Sequence, residues 1–536
     1  MTELQTEKPE AFDAVVIGAG FAGLYMLHKL RSVGLSVRVV EAGSGIGGTW
    51  YWNRYPGARC DVESMEYSYQ FSDELQQEWE WSERYAAQPE ILRYLNHVAD
   101  RFDLRRDIQL ETRVASAHFD ESKNEWQIET DRGRFVAPHC IMATGCLSSS
   151  HNPEIDGRET FEGATYHTGH WPHEGVDFTG KRVGVIGTGS SGVQAIPLIA
   201  EEAADLTVFQ RTATYAAPAH NHPLDSTYQR DVKSRYRAFR EASRQTHLGF
   251  GSDYPSADDA GLGVSDEDRN ARFEEYWQRG GLFFMGSYTD VLLDHEVNES
   301  AAEFVRGKIR SRVGDPELAK RLSPKQVLGC KRLCADTRYY EAFNRQNVHL
   351  VDVSETPIES FTRKGLMVGG AEYELDAVVF ATGFDAMTGS LDRIDIRGKG
   401  GQRLKEKWSE GPRTYIGLGI VGFPNFFVIT GPGSPSVLTN MVPAIEQHVN
   451  WIADCITHMR DEGLRCIEAT EPAEEEWVQH VNDVASFTLF PQCNSWYLGA
   501  NVPGKPRVFM PYVSFSLYVA KCDEVAANGY EGFALK

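Results

Sequence analysis

Two glycine runs in this sequence have the spacing with which a chain grips a pyrophosphate. Gly18-x-Gly20-x-x-Gly23 follows the apolar run AVVI and opens a helical one; Gly187-x-Gly189-x-x-Gly192, with Thr188 inside it, follows RVGVI in the same way. In such a run the first glycine permits a tight turn, the second lets backbone approach the phosphates, and the third lets a helix pack on a strand. The helix N-terminus then offers free N–H groups and a positive dipole end. At one later position the two runs differ. Glu41, 23 residues after Gly18, ends the next apolar run, where a carboxylate accepts ribose hydroxyls. At the matching place, 24 residues after Gly187, stands Arg211, followed by Thr212. An arginine pairs with a 2′-phosphate that a carboxylate would repel. The first run therefore suits FAD or NAD, and the second suits NADPH. The plain alternatives are a glycine turn with a surface glutamate and a solvated strand-end arginine.

The elements that must hold these residues are legible around them. AFDAVVIG reads as a buried strand, LYMLHKLRSVG as a helix ended by Gly34, and LSVRVVE as a second strand. KRVGVIG, VQAIPLIAEEA and DLTVFQR repeat that order. The predicted fold is α/β, with two Rossmann-like dinucleotide-binding domains. Between Pro218 and Pro324 charged segments with helical spacing replace the glycine-turn rhythm, which predicts a mainly helical insertion in the second domain. Strand signals return at NVHLVDV and ELDAVVFATG, and the latter is read as bringing the chain back to the first domain. The expected divisions are residues 1–150 and 380–536 for the first nucleotide domain, 151–217 and 326–379 for the second, and 218–325 for the insertion. A loop rich in proline and glycine spans 495–507.

Longer motifs narrow the class. Phe161-x-Gly163-x-x-x-His167-x-x-x-Trp171-Pro172 lies between the nucleotide units, and GGTWYWNRYPGARCD runs from Gly47 to Asp61. Ala143-Thr144-Gly145 and Ala381-Thr382-Gly383 form a pair, and GPGSPSVLTNM and SWYLGANVPGKPR follow. In these motifs, over essentially its whole length, the chain resembles the type I Baeyer–Villiger monooxygenases, most closely the phenylacetone and steroid branch. That resemblance implies FAD, NADPH and O2 as reactants, a peroxide carried on the flavin C4a carbon, and insertion of one oxygen beside a ketone carbonyl to give an ester or lactone. Heteroatom oxygenation and plain NADPH oxidation are the competing activities.

The resemblance also implies roles. Arg332 would hold an anionic oxygen species over the flavin, a task that suits a side chain that never titrates out, and Asp61 would aim it. Lys331 would join Arg211 and Thr212 at the 2′-phosphate, and Trp496 would fold over the nicotinamide on a mobile loop. Flavin contacts map to Gly18, Ala22, Glu41, Thr49, Trp50, Asp61, Tyr67 and Met441. A pocket for a hydrophobic ketone maps to Val62, Cys146, Leu147, Pro435, Ser436, Val437, Leu438 and Met441. His167, with His170 and His173, could suggest a metal, but no cysteine or carboxylate cluster completes such a site, and the family gives this histidine a part in domain coupling. One departure stands out: after Tyr512-Val513 the run SFSLY is one residue shorter than the glycine-pair and basic stretch of close relatives, so different packing is expected there.

Bulk composition excludes other classes. The 536 residues carry a net charge of −22, which argues against nucleic acid and anionic membranes as partners. The start, MTELQTEKPEAFD, is polar and acidic, unlike a secretory leader. Nine scattered cysteines, an odd number without a framework, fit a reducing cytoplasm. Cys330 and Cys334 are close in sequence but lack CxxC spacing. A monomer is compatible with all of this.

Overall fold

A computed structural model describes residues 8–536; of the polar start, residues 1–7 lie outside the described part. The first fingerprint belongs to a five-stranded parallel sheet. Its order is Phe426–Val428, His139–Met142, Ala14–Ile17, Val37–Val40, Ile108–Gln109. Every residue of Ala14–Ile17 and of His139–Met142 is buried, as expected for parallel strands covered on both faces. The second fingerprint belongs to another parallel sheet, ordered Val348–Asp352, Asp205–Gln210, Arg182–Ile186, Ala377–Phe380, Ala164–His167. A third sheet of five strands, Glu10–Ala11, Gly133–Ala137, Glu125–Thr130, Val114–Asp120 and Asp395–Arg397, packs beside the first.

The strand Ala377–Phe380 corrects one expectation. It pairs with Val183–Ile186 and with Ala164–His167, so it belongs to the second sheet. The chain reaches the first body again only after Gly383, where Asp395–Arg397 joins Val114–Asp120.

From residue 226 to 322 the described elements are helices. The four at Ser226–Ser234, Asp266–Arg279, His295–Arg312 and Pro316–Leu322 each start behind a capping Asp225, Ser265, Asp294 or Asp315, whose side chain accepts N–H bonds from the first turn. Asp266–Arg279 and His295–Arg312 pack Phe273, Trp277, Ala301 and Val305 against the second nucleotide body, while Ser226–Ser234 packs Val232 into the core of the first. Among the described residues, no helix is long and apolar enough to cross a membrane.

The shortened run after Tyr512 starts a helix. Ser514 caps Phe515–Ala527 by accepting the Leu517 N–H. The ring of His247 lies 2.8 Å from the Ser514 hydroxyl, and Phe515 N–H donates to the His247 carbonyl. The segment thus bridges the helical insertion to the first body.

Candidate active site between two nucleotide turns

The two glycine turns are built alike. Gly18 and Gly187 have φ of +107° and +108°. A Cβ on Gly18 would sit 2.5 Å from the Ala143 carbonyl oxygen, and one on Gly187 would sit 2.5 Å from that of Ala381. The paired ATG motifs are therefore the backbone against which each turn closes. Gly23 and Gly192 meet the carbonyls of Gly18 and Gly187 with no room for a side chain, which fixes helix against strand. The helices Phe21–Ser32 and Ser190–Glu202 begin behind Gly20 and Gly189, and no side chain caps either. Their first N–H groups are left to an anion.

Both turns open into one continuous cavity of about 1140 Å³. Gly18, Gly20, Ala22, Glu41, Thr49, Trp50, Asp61 and Tyr67 line it from the first body; Gly187, Thr188, Gly189, Arg211, Thr212, Lys331 and Arg332 line it from the second. Glu41 accepts N–H bonds from Ala19 at 2.8 Å and Gly43 at 2.7 Å, while burial raises its pKa. Its oxygens keep lone pairs for a ribose. Trp50 Nε1–H donates to Tyr67 Oη at 3.1 Å. A cradle of close backbone, an acid at the ribose position and uncapped helix ends fit a flavin dinucleotide. On the other side Lys331 lies close enough to Arg211 for the arginine to lower its pKa, after the larger effect of burial. Two cations converging beside Thr212 fit a phosphorylated nicotinamide nucleotide.

Where the two halves meet, Arg332 faces Asp61. Arg332 Nε donates to Asp61 Oδ2 at 2.7 Å, Nη2 to Oδ1 at 2.9 Å, and Nη1 to the Val437 carbonyl at 2.8 Å. Burial works against the guanidinium charge, but Asp61 outweighs it and raises the pKa further. Tyr497 also faces Arg332, and burial brings its hydroxyl to about 12. Sequence reasoning passed over Tyr497, although it adjoins Trp496. It also passed over Asn501 of the 495–507 loop and Asn494 just before it, which line the cavity with Trp496.

Val62, Cys146, Leu147, Val437 and Met441 form the apolar part of the wall. Pro435, Ser436 and Leu438 do not line the cavity. Ser436 is buried behind it with its hydroxyl on Met387 Sδ at 3.3 Å, and Leu438 packs against the same apolar cluster. Burial raises the pKa of Cys146, which keeps its thiol protonated and inert.

The Phe161–Pro172 segment carries the edge strand of the second sheet and reaches the cavity wall at Gly169 and His170. His167 ends the edge strand of the second sheet. Its Nδ1 accepts the Gly169 N–H at 2.9 Å, its Nε2 lies 3.3 Å from both the His151 carbonyl and Thr382 Oγ1, and burial lowers its pKa to about 4. It is a neutral structural histidine. Gly163 fits under the Phe161 ring and against the Asp376 carbonyl. Trp171 is buried in one cluster with Tyr55 and Ala58, and its backbone N–H donates to the Trp52 carbonyl. His170 and His173 pack on Trp52 and Tyr51 instead of converging with His167.

Cys330 corrects the cysteine reading. It is bonded to Cys493, 163 residues away, while Cys334 is free beside Ser190 and Thr214.

Two dinucleotide turns facing one cavity, with a fixed cation between them, define a flavoprotein that takes electrons from a pyridine nucleotide. Comparison with known proteins agrees. The pyridine nucleotide-disulphide oxidoreductase family model matches residues 15–252. A Baeyer–Villiger monooxygenase of Pseudooceanicola batsensis is 45% identical over 95% of this chain and 94% of its own. A phenazine N-monooxygenase of Lysobacter antibioticus is 42% identical over 98% of this chain and 97% of its own. The solved structure of an oxidised steroid monooxygenase bound to NADP superimposes with a TM-score of 0.93 at 53% identity, covering 98% of this chain and 99% of that one. The chain belongs to the Baeyer–Villiger monooxygenases, FAD- and NADP-dependent oxidoreductases.

Proposed function

We propose that the enzyme oxidises a hydrophobic ketone to an ester or lactone in the cytoplasm, with Arg332 and Asp61 as its reactive-site pair. FAD, when bound, supplies the activation of O2, and NADPH supplies the hydride. The side chains named below supply charge, orientation and dryness.

The observation that carries this reading is the forked Arg332–Asp61 contact at the meeting point of the two nucleotide arms. Oxygen insertion beside a carbonyl puts negative charge on the former carbonyl oxygen. A guanidinium held by a carboxylate on one edge, and by the Val437 carbonyl through Nη1, is pre-aimed at that charge and needs little reorganisation. Asp61 balances a cation that would otherwise be costly to keep in a dry site. Lys331, Arg211 and Thr212 hold the 2′-phosphate. Trp496 covers the nicotinamide and, with the loop, excludes water. Glu41, Thr49, Trp50, Tyr67 and Met441 seat the flavin, and the wall of Val62, Cys146, Leu147, Val437 and Met441 takes the apolar ketone. The segment Phe161, Gly163, His167, Trp171 and Pro172 sets the angle between the bodies. The division of the chain at 150, 217 and 325, with the return to the first body after Gly383, belongs to the same proposal.

A panel of apolar ketones, with NADPH consumption followed and products identified by mass, tests it. A gain of one oxygen with ester connectivity supports the proposal; consumption yielding only H2O2 with every ketone refutes it. The similarity to a phenazine N-monooxygenase favours a second reading, oxygenation at nitrogen. An aromatic N-heterocycle in the same panel, converted to its N-oxide faster than any ketone to its ester, would establish that instead.

A further inference from the structure

Cys330 and Cys493 join the two sides of the cavity covalently, with their Cα atoms 6.2 Å apart. Cys330 adjoins Lys331 and stands two residues before Arg332; Cys493 stands three residues before Trp496. The bond therefore stitches the segment bearing both site cations to the root of the loop that covers them. The far end of that loop is held by weaker means. Lys505 Nζ donates to Asp385 Oδ1 at 2.5 Å and to the Ala386 carbonyl at 2.7 Å, and Asn501 Nδ2 donates to the Phe384 carbonyl at 2.7 Å. At the near end, hydrogen bonds such as Ser495 N–H to the Cys493 carbonyl and Arg507 to Asn494 stay within the loop. Polar contacts of that kind open and close readily; a covalent crosslink at the root limits how far the loop can swing.

We propose that Cys330–Cys493 is a reversible thiol–disulfide site whose state sets how tightly the 495–507 loop retains the nicotinamide nucleotide. This rests on the reading of that loop as the cover of the nicotinamide. Access is one-sided: Cys330 is fully buried, and Cys493 is half-buried. A dithiol from solution thus attacks Cys493 Sγ. The S–S bond breaks, Cys330 leaves as a thiolate and takes a proton, and the second thiol of the reagent closes on the first and frees Cys493. The reverse oxidant is hydrogen peroxide, which any turnover lacking a ketone releases. One thiolate attacks a peroxide oxygen, giving a sulfenic acid and water; the other thiol displaces the second oxygen as water and closes the disulfide. Two thiols and one H2O2 give one disulfide and two waters. A protein of this family working in a reducing compartment would use such a bond as a sensor rather than a staple. Peroxide leakage would lock the cover and so curb the leak.

The test uses the full-length FAD-loaded enzyme in three states: oxidised, reduced with dithiothreitol and desalted, and reduced then treated with one equivalent of H2O2. Cys493→Ser runs alongside. NADP+ displacement is followed by stopped-flow through the flavin absorbance, tryptic cleavage after Arg507 by mass, and free thiols by titration. The reduced enzyme should release NADP+ about tenfold faster than the oxidised one and be cut sooner after Arg507. Peroxide should restore both rates and remove two thiols. Cys493→Ser should match the reduced enzyme and ignore both reagents. Equal rates in the oxidised and reduced states, failure of peroxide to form the bond, or a redox response that survives in Cys493→Ser would each overturn the proposal. Ester formation is measured in every state. Its absence throughout would sink the proposed ketone chemistry while leaving the release rates to judge the disulfide.

Discussion

Arg332 meets both oxygens of Asp61 through Nε and Nη2, across a sequence separation of 271 residues. One partner comes from the first nucleotide body and the other from the edge of the second. A fork of this kind fixes the plane of the guanidinium as well as its charge. Arg332→Ala should therefore leave FAD bound and reducible by NADPH while ester formation falls by at least roughly 10²–10³-fold, the cost of losing one preorganised donor in an oxyanion site. If Asp61 acts by aiming Arg332, Asp61→Ala combined with Arg332→Ala should be no slower than Arg332→Ala alone. Multiplicative losses in that cycle would show that Asp61 acts independently of Arg332.

Arg211 and Lys331 sit together beside Thr212, whose carbonyl accepts the Thr188 hydroxyl at 2.8 Å. In the proposed function their neighbour is the phosphate that distinguishes NADPH from NADH. Arg211→Ala removes a charge-assisted contact of about 1.5–3 kcal/mol. It should raise KM for NADPH about tenfold or more with little change in kcat, and leave kinetics with NADH nearly unaltered. A variant that loses both cofactors equally would place Arg211 in the fold instead of at the phosphate.

The legible parts of this protein were those whose physics is local. Gly18 and Gly187 announce themselves because a turn with φ near +107° admits little else, and Glu41 and Arg211 follow at a distance fixed by one helix and one strand. The run AVVF at Ala377–Phe380 is different. A short buried strand reads the same in either parallel sheet, so its sequence carries no address, and only pairing with Val183–Ile186 assigns it. The Cys330–Cys493 bond is a contact over 163 residues, which spacing cannot pair. Pro435, Ser436 and Leu438 lay in a recognisable motif, yet the wall excludes them, because the inward or outward sense of an irregular loop depends on its partners.

Trp171 donates its backbone N–H to the Trp52 carbonyl, and its buried ring packs on Tyr166 and Phe178 in the apolar cluster that also holds Tyr55 and Ala58 of the first body. Trp171→Ala would open a cavity there, at a cost of about 3–5 kcal/mol, and loosen the angle between the nucleotide arms. The expected signature is slower flavin reduction by NADPH with FAD affinity preserved, because the flavin side is built by other residues. Unchanged reduction in a folded Trp171→Ala enzyme would remove the segment from the coupling role.

Glu446 is buried on the helix Met441–Asp461 with Oε1 accepting the Gln70 N–H at 2.7 Å and Oε2 without a hydrogen-bond partner among the described residues. Burial raises its pKa to about 7, against the lowering effects of the Gln70 and Phe71 N–H groups, Arg240 and Arg244. Glu66 is raised to the same region by burial and then by Glu63. An unfolded glutamate titrates near 4.5, so between that pH and 7 the folded chain binds more protons than the unfolded one. The stability these groups contribute is complete below about 4.5 and is lost as pH rises through 7. Glu446→Gln, which keeps the shape and cannot ionise, should melt at a higher temperature than the parent at pH 8, by an amount equivalent to at most about 3 kcal/mol. The difference should shrink towards zero by pH 5. Scanning calorimetry at the two pH values measures it, and a Glu446→Gln enzyme that is less stable at pH 8 would mean that the fold favours the ionised carboxylate instead of penalising it.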